Sequence, residues 1–84
     1  MQKGFNSDVE FAGVSYHIQS EDWGFDNPYL VSRVYKNGAV VKNIKTSYQD
    51  ILKPSLQKDA RAIRLALIDQ HQNVLDQLVS GAFI

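Results

Sequence analysis

The chain has 84 residues, of which 44% are hydrophobic and 21% charged, and its nine basic side chains balance nine acidic ones. This composition is typical of one folded globular domain and excludes a disordered tail. Zero net charge argues against a globally basic nucleic-acid binder, and the absence of cysteine excludes a disulfide framework and a thiolate zinc site. The first eleven residues lack the apolar stretch of a signal peptide, and no run reaches the length of a membrane span, so we expect a cytoplasmic protein.

Residues 9–20 alternate between apolar and polar side chains, which is typical of a half-buried β-hairpin. A two-residue turn at Ala12-Gly13 would pair Phe11 with Val14. The apolar side chains of both strands would then lie on one face of the sheet.

A second alternating stretch follows over residues 29–48, and its Asn37-Gly38 pair is a strong signal for a hairpin turn. A strict two-residue turn would place Arg33 and Lys42 among the apolar side chains. A three-residue loop over 36–38 with a bulged glycine would instead align four apolar side chains on one face, namely Leu30, Val34, Val40 and Ile44. We favour this second register because it gives the cleaner apolar face.

The last third of the chain predicts a long amphipathic helix. Pro54 interrupts a short turn, Ser55 can cap the helix that follows, and Gly81 can stop it after about Ser80. At about 100° per residue, six apolar residues share one stripe of this helix. They are Leu56, Ala60, Ile63, Leu67, Val74 and Leu78.

These elements predict a single α+β domain over residues 1–84. A small antiparallel β-meander of three or four strands occupies about 8–46, and one long C-terminal amphipathic α-helix occupies about 55–80. Such a helix spans roughly 38 Å, whereas strands of seven or eight residues span only about 25 Å. Since Ile68, Leu75 and Val79 widen the apolar stripe beyond what one small sheet covers, we expect these residues to form the interface of a homodimer.

The segment between the two hairpins is acidic. His17 is followed within nine residues by Glu21, Asp22 and Asp26, a set that could hold a divalent metal or a small ligand. The spacing matches no calcium or zinc motif, so a solvated loop is the simpler interpretation and we assign no metal site. Trp23, the only tryptophan, can be a lid on the core or a binding anchor.

Arg64 and His71 are seven residues apart and fall within the apolar stripe of the predicted helix. A basic group in that position is costly unless it is paired or lies at an interface. One interpretation extends Arg64 to the edge of the core and bonds His71 to a loop carbonyl. The other brings both against Glu21 and Asp22 of the acidic loop, which would raise the pKa of His71.

Charge is unevenly distributed along the chain. Residues 1–28 carry five acids and one lysine (net −4), residues 29–64 carry eight basic residues and two acids (net +6), and residues 65–84 carry two acids (net −2). The basic segment 33–64 could bind nucleic acid. The neutral total instead favours pairing between the acidic and basic segments, within or between subunits.

A longer pattern resembles one found in small uncharacterised bacterial proteins. It consists of the segment Tyr16-His17-Ile18-Gln19-Ser20-Glu21-Asp22, then Asn27-Pro28 and Gly38, and it ends with Asp69-Gln70-His71 and Leu78-Val79-Ser80-Gly81. The resemblance implies a compact bacterial protein and brings no activity, cofactor or catalytic residue with it.

The sequence contains no catalytic triad spacing, phosphate-binding loop or zinc-protease motif, and we assign no catalytic residue and no cofactor. We therefore expect a non-enzymatic protein-interaction or adaptor module that acts as a homodimer. Its candidate binding residues are His17, Glu21, Asp22, Trp23, Arg64 and His71. The alternatives are a small-ligand or metal-binding protein that uses the His17–Asp26 region, and a nucleic-acid-binding protein that uses the basic segment 33–64.

Overall fold

The computed structural model describes residues 4–81, which form a four-stranded antiparallel sheet followed by helices. The strands lie side by side in chain order: β1 (Gly4–Phe11), β2 (Val14–Asp22), β3 (Tyr29–Lys36) and β4 (Ala39–Ser47). A short helix α1 (Tyr48–Ile51), a 3₁₀ turn (Pro54–Leu56) and the long helix α2 (Ala60–Val79) follow. This is the predicted α+β fold, with four strands and one long C-terminal helix. Among the described residues, no helix is both long and apolar enough to cross a membrane.

The first hairpin has the predicted two-residue turn. Ala12 and Gly13 both have positive φ, at 53° and 78°, as a type I′ turn requires. Phe11 therefore pairs with Val14, and the pairing of β1 with β2 runs without interruption back to Gly4.

The second hairpin differs from its predicted register. Asn37 and Gly38 have φ of 52° and 84° and form a two-residue turn, so the predicted three-residue loop is wrong. The extra residue lies in β4 instead: the register shifts between the Tyr35–Val40 pair and the Val34–Lys42 pair, which leaves Val41 unpaired as a β-bulge.

The bulge decides which side chains of β4 face the helix. Ile44 comes opposite Ser32 and lies on the same face as Leu30 and Val34, as predicted. Val40 lies opposite Tyr35 on the other face, where it is exposed, so its predicted place beside Ile44 is wrong. The extra residue is accommodated in an edge strand, where only one neighbouring strand must adjust to it.

Helix α2 begins five residues after the predicted cap. Asp59, not Ser55, is the N-cap, and its carboxylate accepts hydrogen bonds from the N–H groups of Arg61 and Ala62. Ser55 lies within the 3₁₀ turn that begins at Pro54. The 20 residues of α2 span about 30 Å, close to the length of the strands, so the predicted length mismatch between helix and sheet is wrong.

Helix α2 packs across one face of the sheet, mainly over β2, and an apolar cluster lies at each end of this interface. The turn-end cluster, beside the two hairpin turns, consists of Tyr16, Ile18, Val34, Val74 and Leu78. The loop-end cluster, beside the β2–β3 loop, consists of Leu30, Tyr48, Ile63 and Leu67. Leu56 and Ala60, predicted in the same apolar stripe, lie outside both clusters.

Candidate functional site

A cleft of about 700 Å³ opens between the β2–β3 loop and the N-terminal half of α2. Its loop wall is formed by Asp22, Trp23, Gly24, Phe25 and Asp26, its helix wall by Ala60, Arg61 and Arg64, and its floor by Tyr48, Ile63 and Leu67. The floor residues belong to the loop-end cluster and are at most 2% exposed, so the cleft borders one end of the core.

The loop wall is anchored through Asp22. Its Oδ1 accepts a hydrogen bond from the Gly24 N–H at 3.0 Å and a second, short one from the Tyr48 hydroxyl. Burial and this bond to a carboxylate raise the pKa of Tyr48, so the phenol stays protonated as a donor. The Tyr48 N–H also donates to the Pro28 carbonyl, which ties the end of the loop to the start of α1.

The helix wall presents two guanidinium groups. Arg61 and Arg64 are exposed on the first two turns of α2, and neither forms an ion pair within residues 4–81. Arg64 Cζ lies 5.1 Å from the centroid of the Phe5 ring, which is a cation–π contact. Across the cleft the Phe25 side chain is 56% exposed. The cleft thus combines an exposed aromatic ring and two cationic groups with the carboxylates of Asp22 and Asp26 on its loop wall.

His71 lies between the two apolar clusters and does not meet the acidic loop. Its Nε2 is 2.8 Å from Ser7 Oγ, and its Nδ1 is 2.7 Å from Ser20 Oγ. Burial lowers the pKa of His71. His71 therefore has neither of its predicted partners, and both predictions are wrong: it contacts neither Glu21 and Asp22 nor a loop carbonyl. The strands place two hydroxyl groups beside the ring, and these satisfy the hydrogen bonds of a neutral imidazole.

The hydrogen bonds around His71 continue into a polar layer made of Ser7, Ser20, Ser32, Gln70 and His71. Ser20 Oγ is 2.6 Å from Ser32 Oγ, and the Gln70 amide nitrogen donates to Ser32 Oγ at 3.0 Å. If each buried hydroxyl both accepts and donates once, Ser32 donates to Ser20 and Ser20 to Nδ1 of His71. Nε2 then carries the proton and donates to Ser7, so it is not placed to act as a base toward that serine.

His17 and Glu21 lie on the open face of the sheet, away from α2. His17 Nδ1 is 2.8 Å from Asp8 Oδ1, and Glu21 Oε1 is 3.5 Å from Arg33 Nη1. Asp22 faces the helix side because successive residues of a strand point to opposite faces. The described part of the chain contains no group of three or more His, Cys, Asp or Glu side chains that could hold a metal ion.

Trp23 has a packing role at the edge of the open face. Its ring meets that of Tyr29 edge-on at 6.4 Å, and Lys45 Nζ lies 5.1 Å from the Trp23 ring and 4.2 Å from the Tyr29 ring. Val31, on the same face, is only 1% exposed. Trp23 thus packs against Tyr29 and Lys45 outside both apolar clusters, and it also borders the cleft.

The basic segment is divided between the two sides of the sheet. Arg33 and Lys45 lie on the open face, engaged with Glu21 and the two aromatic rings, whereas Arg61 and Arg64 line the cleft. Lys42 lies on the helix-facing side of the edge strand β4.

Three of the six predicted binding residues thus meet in the cleft: Asp22, Trp23 and Arg64. Sequence reasoning missed Phe25, Tyr48 and Arg61. Arg61 could have been found, since it precedes Arg64 by three residues and so shares its helix face. Comparisons with protein-family models, with curated proteins and with solved structures gave no match, so the chain's function is inferred from this cleft and the surfaces around it.

Proposed function

We propose that the protein is a non-enzymatic interaction module whose cleft binds an acidic, partly apolar segment of a partner protein. The observation that carries this proposal is the placement of the exposed Phe25 ring opposite Arg61 and Arg64, which form no ion pair within residues 4–81. Arginine forms strong, geometrically specific bonds with carboxylates, and aromatic and arginine side chains are enriched among residues that dominate binding.

The size and lining of the cleft support a peptide segment as its occupant. A volume of about 700 Å³ falls within the range of ligand-binding clefts, about 300–1,000 Å³. An apolar side chain of the partner would lie between Phe25 and the floor at Ile63 and Leu67. Its carboxylate would lie between the two guanidinium groups. Asp22 and Asp26 also line the cleft, but within residues 4–81 neither forms an ion pair with Arg61 or Arg64, and Asp22 Oδ1 accepts two other hydrogen bonds.

The proposal is tested with fluorescein-labelled short peptides in which one leucine or phenylalanine is flanked by glutamates. Fluorescence anisotropy should detect binding of these peptides and not of the same peptides with lysine in place of glutamate. Arg61→Glu should weaken binding about tenfold or more, because it replaces attraction with repulsion. Lys58→Glu is the matched control, since Lys58 is exposed on the same stretch of chain but does not line the cleft.

Two results would contradict this assignment. One is the absence of any difference between glutamate and lysine peptides. The other is an equal loss of binding in the Arg61→Glu and Lys58→Glu variants, which would mean that the peptides respond to the overall charge of the protein and not to the cleft.

We also propose that two copies associate as a homodimer and that the protein works in the bacterial cytoplasm. The exposed side chains of Ile68 and Val79, next to the half-buried Leu75, support self-association. The absence of cysteine and the resemblance to small bacterial proteins support the compartment and the source.

A further inference from the structure

The two edges of the sheet differ in how they are protected against pairing with another strand. Edge strand β4 carries a β-bulge and two lysines, Lys42 and Lys45, and such features disfavour addition of a strand. Edge strand β1 has eight residues in unbroken register with β2, its charged side chains are Asp8 and Glu10, and it contains neither lysine nor proline. The β1 edge is therefore the one open to a further strand.

The backbone of β1 offers hydrogen-bonding groups on this edge at every second residue. Phe11 and Val14 flank a two-residue turn and so form a hydrogen-bonded pair. By alternation, Ser7 also directs its N–H and C=O toward β2. Asn6 and Asp8 direct theirs away from the sheet, toward any strand that would add there.

An apolar flank of α2 lies on the β1 side of the helix. The contacts of Arg64 with Phe5 and of His71 with Ser7 show which side this is. Further round the helix from Arg64 and His71 are four apolar side chains, all but the third exposed: Leu65, Ile68, Leu75 and Val79. The exposed Gln72, which donates a hydrogen bond to Asp76, lies at the centre of this flank. A strand added to β1 would bring its own helix alongside this flank.

We propose that a second copy of the chain adds its β1 antiparallel to β1, so that the homodimer has one continuous eight-stranded sheet with both α2 helices on the same face. This inference rests on the homodimer proposed above and specifies its interface. A two-fold axis at Ser7 places Asn6 of each copy opposite Asp8 of the other, and Phe5 opposite Val9. Moving the axis to Asp8 would instead set two aspartates directly opposite each other, which is destabilising.

The two α2 helices are compatible with the same two-fold axis at Ser7. Because His71 is bonded to Ser7, the middle of the apolar flank lies level with the middle of β1. A two-fold axis there places Ile68 of one copy toward Leu75 of the other, and Leu65 toward Val79. Helix α2 lies mainly over β2, and the two β2 strands would be three strand spacings, about 14 Å, apart. The apolar side chains of both flanks would fill the space between the helices.

The first test measures self-association of the full chain by sedimentation equilibrium. We expect a dimer at tens of micromolar and an increase of at least tenfold in the dissociation constant for Ile68→Asp, with Leu75→Asp acting in the same direction. Ile51→Asp is the matched control: Ile51 is 41% exposed and Ile68 is 40% exposed, but Ile51 lies in α1, outside the flank. A wild-type monomer, or an equal effect of the two isoleucine variants, would overturn the proposal.

The second test measures the register and does not depend on a substitution in the helix. In the proposed dimer Asn6 and Asp8 form a hydrogen-bonded pair with Cα atoms about 5.5 Å apart, within the range that a disulfide spans. The natural chain has no cysteine, so an Asn6→Cys protein mixed with an Asp8→Cys protein should form a disulfide-linked dimer on mild oxidation. Each variant alone should remain largely unlinked.

The outcomes separate this interface from the proposed cleft function. Efficient cross-linking of Asp8→Cys alone, or failure of the mixture to cross-link, would overturn the register. A wild-type chain that is monomeric but binds acidic peptides would contradict the interface and leave the cleft assignment intact. A wild-type chain that forms this dimer but binds none of the acidic peptides would contradict only the cleft.

Discussion

The two ends of the helix–sheet interface differ in what lies beside them. At one end, the turn-end cluster lies beside two tight turns, and Leu78 at its centre is fully buried. At the other end, the loop-end cluster lies beside the β2–β3 loop and the start of α2, where Ile63 and Leu67 form the floor of the cleft. The same helix and the same strands contribute to both ends.

The difference shows how a small domain can combine a buried core with an accessible cleft. The buried side chains of both clusters are at most 3% exposed, so both clusters contribute to folding through apolar burial. Only the loop-end cluster forms the floor of the cleft in which we propose that a partner segment binds. Between the two, the polar layer around His71 limits how the helix can be placed on the sheet, because its buried hydrogen bonds form in only one alignment.

The largest expected effect comes from a matched pair of leucines in α2. Leu78 is 0% exposed in the turn-end cluster, and Leu67 is 1% exposed at the floor of the cleft. Leucine-to-alanine changes in a core cost about 2–5 kcal/mol, and the cost rises with the volume of the cavity that remains. We expect Leu78→Ala to lie near the upper end of this range and Leu67→Ala lower, because space opened at Leu67 joins the cleft.

Urea unfolding of the two leucine variants measures this difference in the free energy of unfolding. Equal losses, or a larger loss for Leu67→Ala, would contradict the expected difference between the turn-end cluster and the loop-end cluster beside the cleft.

The turn at Asn37-Gly38 closes the turn end, and Gly38 has φ of 84°. A β-branched side chain is strained in this backbone conformation, so Gly38→Val should lower the free energy of unfolding by at least about 1 kcal/mol. Nothing within 4 Å would meet an added Cβ, so the loss would come from the backbone conformation and not from a clash. An unchanged melting temperature would show that the conformation of this turn does not contribute to the stability of the protein.

The polar layer predicts a dependence of stability on pH. Burial lowers the pKa of His71, so the unfolded chain binds a proton more readily than the folded one. The stability contributed by neutral His71 is complete above the unfolded pKa of about 6.5 and is lost as the pH falls toward the lower folded pKa. Unfolding free energies measured between neutral and mildly acidic pH should therefore decrease.

The variant His71→Gln removes this titration and provides the control for the pH series. Its stability should vary less with pH over the same interval. An NMR titration that placed the His71 pKa above its ordinary value would contradict the description of a neutral, buried imidazole.

The smallest effect is expected at the other turn. Ala12 has φ of 53°, a conformation that costs an ordinary residue roughly 1 kcal/mol and that asparagine tolerates better. Ala12→Asn would create an Asn-Gly turn like the one at 37–38 and should raise the melting temperature by a few degrees. Ala39→Asn, in the exposed first position of β4, is the control and should give no increase. A lower melting temperature for Ala12→Asn would contradict the assigned turn.

Much of the fold could be predicted because it follows from sequence patterns that span only a few residues. The alternation of residues 9–20 and the Ala12-Gly13 pair predicted the first hairpin with its correct pairing. The second hairpin was predicted, but its register was not, because a bulge at Val41 has no local signal. The start of α2 was misplaced for a related reason: Ser55 and Asp59 are both good caps, and the choice between them depends on how the chain turns after Pro54.

The candidate site was predicted only in part, since it is assembled from segments distant in the chain. Asp22 and Trp23 were recognised as unusual in their loop, and Arg64 as unusual in its helix. Phe25, Tyr48 and Arg61 look ordinary in the sequence and become parts of a site only where the loop, α1 and α2 meet.

The sequence by itself determined the α+β class, a meander of three or four strands, the long C-terminal helix and the presence of turns at Ala12-Gly13 and Asn37-Gly38, because each follows from periodicity and backbone preferences within a few residues. Only the tertiary structure decided the partners of His71. A basic residue in an apolar stripe must find a polar partner, but sequence cannot show whether this is a carboxylate, which would raise its pKa, or a pair of hydroxyls. The packing of α2 on the sheet places Ser7 and Ser20 beneath the imidazole ring. Because these partners are uncharged hydroxyls, burial is the cause that remains, and it lowers the pKa of His71.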